Sequence, residues 1–187
     1  MKNRISVFSF CVFSLFFISC DQYTKHLAKE HLMFQMPKTY FHNTVVLEYA
    51  ENTGAALSLG DNLSKTLSFW LLSVLPLLCL VGLFVYVVLK IDGFSRLKTM
   101  SLSLILAGGL GNIIDRLFYD RHVTDFLNLG IGSLRTGIFN VADMCVTGGV
   151  IGLLIVSYTE KKPEPVAAET IPATQEEAEA GSGTELP

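Results

Sequence analysis

Asp115, Asp125 and Asp143, with Arg116, Asn112 and Asn140, fall between Gly108 and Asp143, where one apolar segment ends and another begins. The stretch reads G-G-L-G-N-I-I-D-R, then V-T-D-F, then F-N-V-A-D. A charge near the middle of a bilayer costs about 2.5–3.5 kcal/mol on insertion scales. Acids gathered at the ends of membrane segments therefore need a shared site or water. Two carboxylates close together in a low-dielectric site cannot both ionise cheaply, so the pair shares a proton. The ionised member can polarise a water and the protonated one can deliver a proton to a leaving amine. That chemistry suits peptide-bond hydrolysis without a covalent intermediate. The alternative for Asp125 and Asp143 is plainer: interfacial acids that cap helix ends.

The elements that must hold these side chains are apolar. Half of the 187 residues are hydrophobic and 17% are charged, against about 25% in an ordinary soluble domain, and the mean hydropathy is +0.46. The apolar residues come in long runs, which makes this a multi-pass membrane protein. Four spans are expected, with a second over Leu67 to Leu89, a third over Thr99 to Phe118 and a fourth over Gly137 to Tyr158. Met1 to Cys20 has two readings. A basic start, a short apolar core and Ile18-Ser19-Cys20 resemble a lipoprotein signal peptide, although Phe17 stands where such a sequence normally has Leu. Alternatively the segment is retained as a first span that continues through Asp21 and Lys25, which share a face at i, i+4. The second reading is preferred, because the rest of the chain cannot be a soluble mature domain.

Short-loop basic residues set the orientation. Lys2 and Arg4, the Lys90–Lys98 loop and Lys161–Lys162 share one side if there are four spans. That side is expected to be cytoplasmic, with both termini inside. Loops of about 26–65 and 119–136 then share the outer face, and the polar residues converge there. The first of these carries short β-like stretches at Thr39–Phe41 and Val45–Tyr49. Pro76 lies inside the second span, where a kink is tolerated. Residues 1–159 read as one membrane domain and 160–187 as a disordered acidic cytoplasmic tail, which holds seven of the seventeen acids. Cys11, Cys20, Cys79 and Cys145 have no C-x-x-C partner, and the four histidines lack metal-ligand spacing. No metal, no cofactor and no nucleic-acid partner is expected.

Five pieces of sequence resemble lipoprotein signal peptidase, the signal peptidase II family. They are D-Q-x-T-K (Asp21–Lys25), N-T-G-A-A (Asn52–Ala56), G-x-x-G-N-x-x-D-R (Gly108–Arg116), V-x-D-F (Val123–Phe126) and F-N-x-A-D (Phe139–Asp143). Each alone is weak; five in the family's order on a four-span frame are specific. The resemblance covers about Ile5 to Tyr158. It implies an all-α membrane fold of four transmembrane helices with a small β-rich extracytoplasmic cradle between the first two. It implies a bacterial inner-membrane aspartyl endopeptidase that cuts prolipoproteins just before the diacylglyceryl-modified cysteine, with membrane lipid around it; a monomer is expected. On the family pattern the catalytic pair is Asp125 and Asp143. Asn112 and Asn140 are expected to orient carboxylates or substrate, and Asp115 with Arg116 to form a structural ion pair, with Asp115 the substitute should Asp125 not belong to the pair. Asp21 and Lys25 either support the site or form an ordinary surface pair, and Asn52 and Gly54 either contact substrate or form a tight turn. The chain departs from the pattern at Leu57, where an aromatic often stands, at Ala107 and Gly109 ahead of G-N, in a spacer one residue longer before V-x-D-F, and in its acidic tail. A small proton-coupled transporter is the rival reading, since intramembrane acids also mark proton relays.

Overall fold

A computed structural model describes residues 2–54 and 64–160. The Ala55, Ala56 and Leu57 positions and the tail beyond Glu160 lie outside the described residues. Helix α1 spans Lys2–Leu32, strands β1 and β2 span Lys38–Tyr40 and Val45–Asn52, and helices α2 and α3 span Lys65–Phe69 and Leu75–Lys90. Helix α4 spans Arg96–Phe118, strands β3 and β4 span Val123–Ile131 and Leu134–Arg135, and helix α5 spans Val141–Thr159. Among the described residues, four helical runs are long and apolar enough to cross a membrane: Ser6–Leu32, Lys65–Gly93, Arg96–Phe118 and Val141–Thr159.

Pro76 shapes the second run. Proline has no N–H, so the carbonyl four residues before it loses its helical partner. The chain responds with a π-helical turn over Trp70–Val74, in which the Leu75 N–H reaches back to the Trp70 carbonyl. The helix therefore continues through the expected kink. Outward-facing positions are apolar: Phe8, Leu15, Leu78 and Leu154 are all exposed. The interior is a cluster of Phe10, Leu80, Val87, Ile91, Leu102, Leu106 and Ile113. Helices α4 and α5 approach closely because a Cβ on Gly149 would lie 2.6 Å from the Ser101 carbonyl oxygen.

At one end of the bundle sits a four-stranded antiparallel sheet of order β1-β2-β3-β4. The expectation confined the β-structure to the loop between the first two helices. Only β1 and β2 come from there; β3 and β4 come from the connection between α4 and α5. A lone two-stranded hairpin is marginal, and pairing β2 with β3 extends the sheet. In that pairing Asn52 faces Val123 and Ala50 faces Asp125, with a register shift between Leu47 and Ala50. The fourth helix also begins later than the Gly137 expected, at Val141. Residues before it are used otherwise: Phe139 pairs with Leu127 in an isolated bridge, and Asn140 caps the helix.

Candidate active site

Asn140 closes the N-terminus of α5 with a capping box. Its Oδ1 accepts from the Asp143 N–H at 3.0 Å, and Asp143 Oδ2 accepts from the Asn140 N–H at 3.2 Å. The reciprocal bonds satisfy two N–H groups that a helix start leaves orphaned and fix the Asp143 carboxylate at the helix mouth. Asp125 comes from β3, not from an irregular loop as its place after the third span implied. Its Oδ1 accepts from Asn140 Nδ2 at 2.6 Å and its Oδ2 from Asn52 Nδ2 at 3.0 Å. Strand pairing explains that second bond, since Asn52 ends β2 beside β3. Asn112, on α4, donates from Nδ2 to Asp143 Oδ1 at 2.9 Å. Its Oδ1 accepts from Asn140 Nδ2 at 3.2 Å. Asn140 thus touches both halves of the pair, and it is completely buried.

Both carboxylates line a cavity of about 460 Å³. Its walls are Leu72 and Pro76 on one side, Val146 and Thr147 of α5 on another, and Thr136 to Phe139 beyond β4, with Asn52, Asn112 and Arg116 supplying polar atoms. Burial pushes the Asp125 carboxyl up to about 6, the Asp143 charge adds to that, and the donors Asn52 and Asn140 and the charge of Lys25 oppose it. Asp125 is 3% exposed, whereas Asp143 is only half-buried. The more desolvated carboxyl is the better holder of a proton.

Behind the cavity lies a buried ionic cluster. Lys25 Nζ is 2.8 Å from Asp21 Oδ2, 3.0 Å from Asp115 Oδ2 and 3.0 Å from Asn112 Oδ1. Asp21 Oδ1 accepts from the Ala142 N–H at 2.7 Å, tying α1 to the first turn of α5. Asp115 Oδ2 also accepts from the Thr124 N–H at 3.1 Å, which holds β3 one residue before Asp125. The expected Asp115–Arg116 ion pair is absent from the described residues. Adjacent helical residues do not face each other, so Asp115 turns to Lys25. Arg116 instead donates from Nη2 to the Gly54 carbonyl at 2.8 Å and from Nη1 to the Asn112 carbonyl at 3.5 Å. Among the described residues, Gly54 meets the cavity through Arg116 and through its own N–H, which donates to Asn52 Oδ1 at 2.9 Å.

The structure therefore gathers Asp21, Lys25, Asn52, Gly54, Asn112, Asp115, Arg116, Asp125, Asn140 and Asp143 at one end of the bundle. Sequence reasoning missed Gln22, whose Nε2 donates to Asp115 Oδ1 at 2.9 Å. Its place inside D-Q-x-T-K was the available signal. Thr124 was also missed; it acts through its backbone, and no side-chain pattern reveals that.

A bundle of four apolar helices long enough to span, with a sheet at one end and Asp125 and Asp143 on one cavity beneath it, defines a multi-pass membrane protein. The family model for signal peptidase (SPase) II matches residues 13–159, and the chain belongs to that family of membrane proteases. It is 35% identical over 154 residues to the lipoprotein signal peptidase of Francisella tularensis subsp. tularensis (strain SCHU S4), covering 81% of this chain and 92% of that one. The lipoprotein signal peptidase of Borreliella afzelii (strain PKo) is 32% identical over 166 residues, covering 86% and 94%. A solved structure of a bacterial membrane enzyme, at 2.3 Å resolution, superposes with a TM-score of 0.69 at 28% identity, covering 85% of this chain and 94% of that one.

Proposed function

We propose that this chain removes the signal peptide of prolipoproteins in the bacterial inner membrane, cutting just before the diacylglyceryl-modified cysteine, with Asp125 and Asp143 as an aspartyl dyad. The carrying observation is that Asn140 Nδ2 bonds Asp125 while its backbone and Oδ1 bond Asp143. One fully buried side chain thus orients both carboxylates on the same cavity. Asp125, the more desolvated, carries the proton, and Asp143 is the base. A water between them gives a proton to Asp143 as its oxygen bonds the scissile carbonyl carbon, and Asp125 protonates the carbonyl oxygen. Collapse of that adduct returns a proton to Asp125, breaks the C–N bond and passes the proton on Asp143 to the leaving amine. The dyad is restored, and one water has been consumed.

The cavity walls suit such a substrate. Apolar Leu72, Pro76 and Val146 line it, chemistry fit for a signal helix arriving sideways from lipid. Lys90, Arg96 and Lys98 lie at the end of the bundle opposite the sheet, which supports a cytoplasmic assignment for that end and an extracytoplasmic one for the cavity. The sheet would then cradle substrate at the outer face, with Asn52 and Gly54 nearest to it. The test is cleavage of a diacylglyceryl-modified prolipoprotein by detergent-purified protein. Asp125→Asn and Asp143→Asn should each lower the rate by about 10²–10⁴-fold while staying folded, and Asp115→Asn by far less. A folded wild type that never cuts would overturn the proposal.

A further inference from the structure

Lys25 is 5% exposed and touches neither member of the dyad, yet its ammonium is fully committed. Its three N–H groups meet three acceptors: Asp21 Oδ2, Asp115 Oδ2 and Asn112 Oδ1. An ammonium has donors and no acceptor, so only the oxygen of the Asn112 amide can face it. That choice decides what the other end of the amide presents. With the oxygen on Lys25, the Asn112 NH₂ is left for Asp143 Oδ1, 2.9 Å away. Turned over, the amide would set NH₂ against NH₃⁺ and a carbonyl oxygen against a carboxylate, and both contacts would be repulsive. The direction propagates further, because Asn112 Oδ1 also accepts one hydrogen of Asn140 Nδ2, whose other hydrogen lies on Asp125 Oδ1 at 2.6 Å.

We propose that Lys25 is a positioning residue that sets the direction of the Asn112–Asn140 amide chain and thereby keeps donors, not acceptors, on both aspartates of the dyad. This rests on the peptidase reading above. Gln22 and Asp21 hold the ammonium in place from the same helix: Gln22 Nε2 donates to Asp115 Oδ1 and weakly to Asp21 Oδ2 at 3.3 Å. Other charged or titratable groups packed near the cluster are Arg116 on α4, Cys20, His26 and Lys29 on α1, Tyr49 and Glu51 on β2, Tyr119 and His122 after α4, and Cys145 on α5.

When the donors are lost, Asp125 keeps its proton to higher pH, so the alkaline limb of the pH profile of kcat/KM moves upward. A residue that merely holds the fold would lower the profile without moving that limb. Two variants test this. Lys25→Met/Asp115→Asn removes one charge of each sign, leaving the amide direction as the main change. Asn112→Leu keeps Asp21 and Asp115 on the Lys25 ammonium, removes its third acceptor and breaks the amide chain. Each should shift the alkaline limb upward by about one pH unit, a tenfold change in proton affinity. The protonated-carboxyl infrared band, assigned by its loss in Asp125→Asn, should titrate upward by the same amount, whether or not the variant still cleaves. A folded Asn112→Leu protein whose band and profile stay at the wild-type pH overturns the proposal. A wild type that does not cleave at any pH overturns the peptidase reading instead, and the infrared titration still decides the role of Lys25.

Discussion

Asn52 bonds Asp125 with one end of its amide and the Gly54 backbone with the other: Nδ2 donates to Asp125 Oδ2 at 3.0 Å, and Oδ1 accepts from the Gly54 N–H at 2.9 Å. The end of β2 is thus wired to the Asp125 carboxyl. A donor on a carboxylate favours its ionised form, so Asn52 works against the burial that pushes Asp125 up to about 6. Above that pH the free enzyme loses the proton from Asp125 and the rate should fall. Asn52→Ala removes the donor, raises the proton affinity of Asp125, and should move the alkaline limb of kcat/KM upward. The measurement is a pH profile of prolipoprotein cleavage for both proteins, and a limb that moves down or stays put would contradict the assignment.

Asp21 acts on a different property. It accepts from the Ala142 N–H and pairs with Lys25, so it joins the first and last helices at 1% exposure. Removing one partner of a buried pair costs about 3–5 kcal/mol. Asp21→Ala should therefore lower the melting temperature in detergent by several degrees. A melting temperature equal to wild type would show that the α1–α5 tie carries little stability.

Gly108 is where α4 runs closest to the mouth of α5. A Cβ there would collide with the Ala142 carbonyl oxygen and lie 2.8 Å from Val146 Cγ2. Overpacking of this kind costs about 1–3 kcal/mol. Because Ala142 precedes Asp143, Gly108→Ala should reduce both thermal stability and cleavage rate. Gly82, on α3, has nothing within 4 Å of its added Cβ, so Gly82→Ala should leave both unchanged or add slightly to stability through helix propensity. Melting curves and initial rates on the pair would separate a local clash from a general effect of alanine in a membrane helix.

The four helices were legible because hydrocarbon leaves little choice: a run of about 20 apolar residues must be helical. That Asp125 and Asp143 come to one cavity could be anticipated because both stand in motifs at segment ends. Partner choice was not. The pairing of β2 with β3 joins segments separated by two membrane-spanning runs, and nothing local in Val45–Asn52 announces Val123–Ile131. The Asp115–Arg116 expectation failed because adjacency in sequence is not adjacency on a helix, and Lys25 on a different helix was the true partner. Gln22 escaped notice because a glutamine declares no chemistry until its acceptor is in place. The start of α5 was misjudged by four residues, since Gly137 to Phe139 look as apolar as the helix itself and only the bridge to Leu127 separates them.

Arg116 offers the sharpest contrast between charge and shape. Its Nη2 donates to the Gly54 carbonyl at 2.8 Å, its Nη1 leans on the Asn112 carbonyl, and its Nε is buried without a partner among the described residues. A guanidinium fork can reach two carbonyls on different elements at once; an ammonium on a shorter arm reaches one. Arg116→Lys keeps the charge near Asp125 and Asp143 and should still lose the Gly54 contact, a hydrogen bond to a charged group worth about 1.5–3 kcal/mol. Since Gly54 also bonds Asn52 Oδ1, freeing it loosens the donor on Asp125 as well. The expected outcome is a fall of about tenfold or more in kcat/KM together with a lower melting temperature. Assays and melts on Arg116→Lys and wild type check it. Wild-type values for both would mean that a positive charge alone suffices at this position.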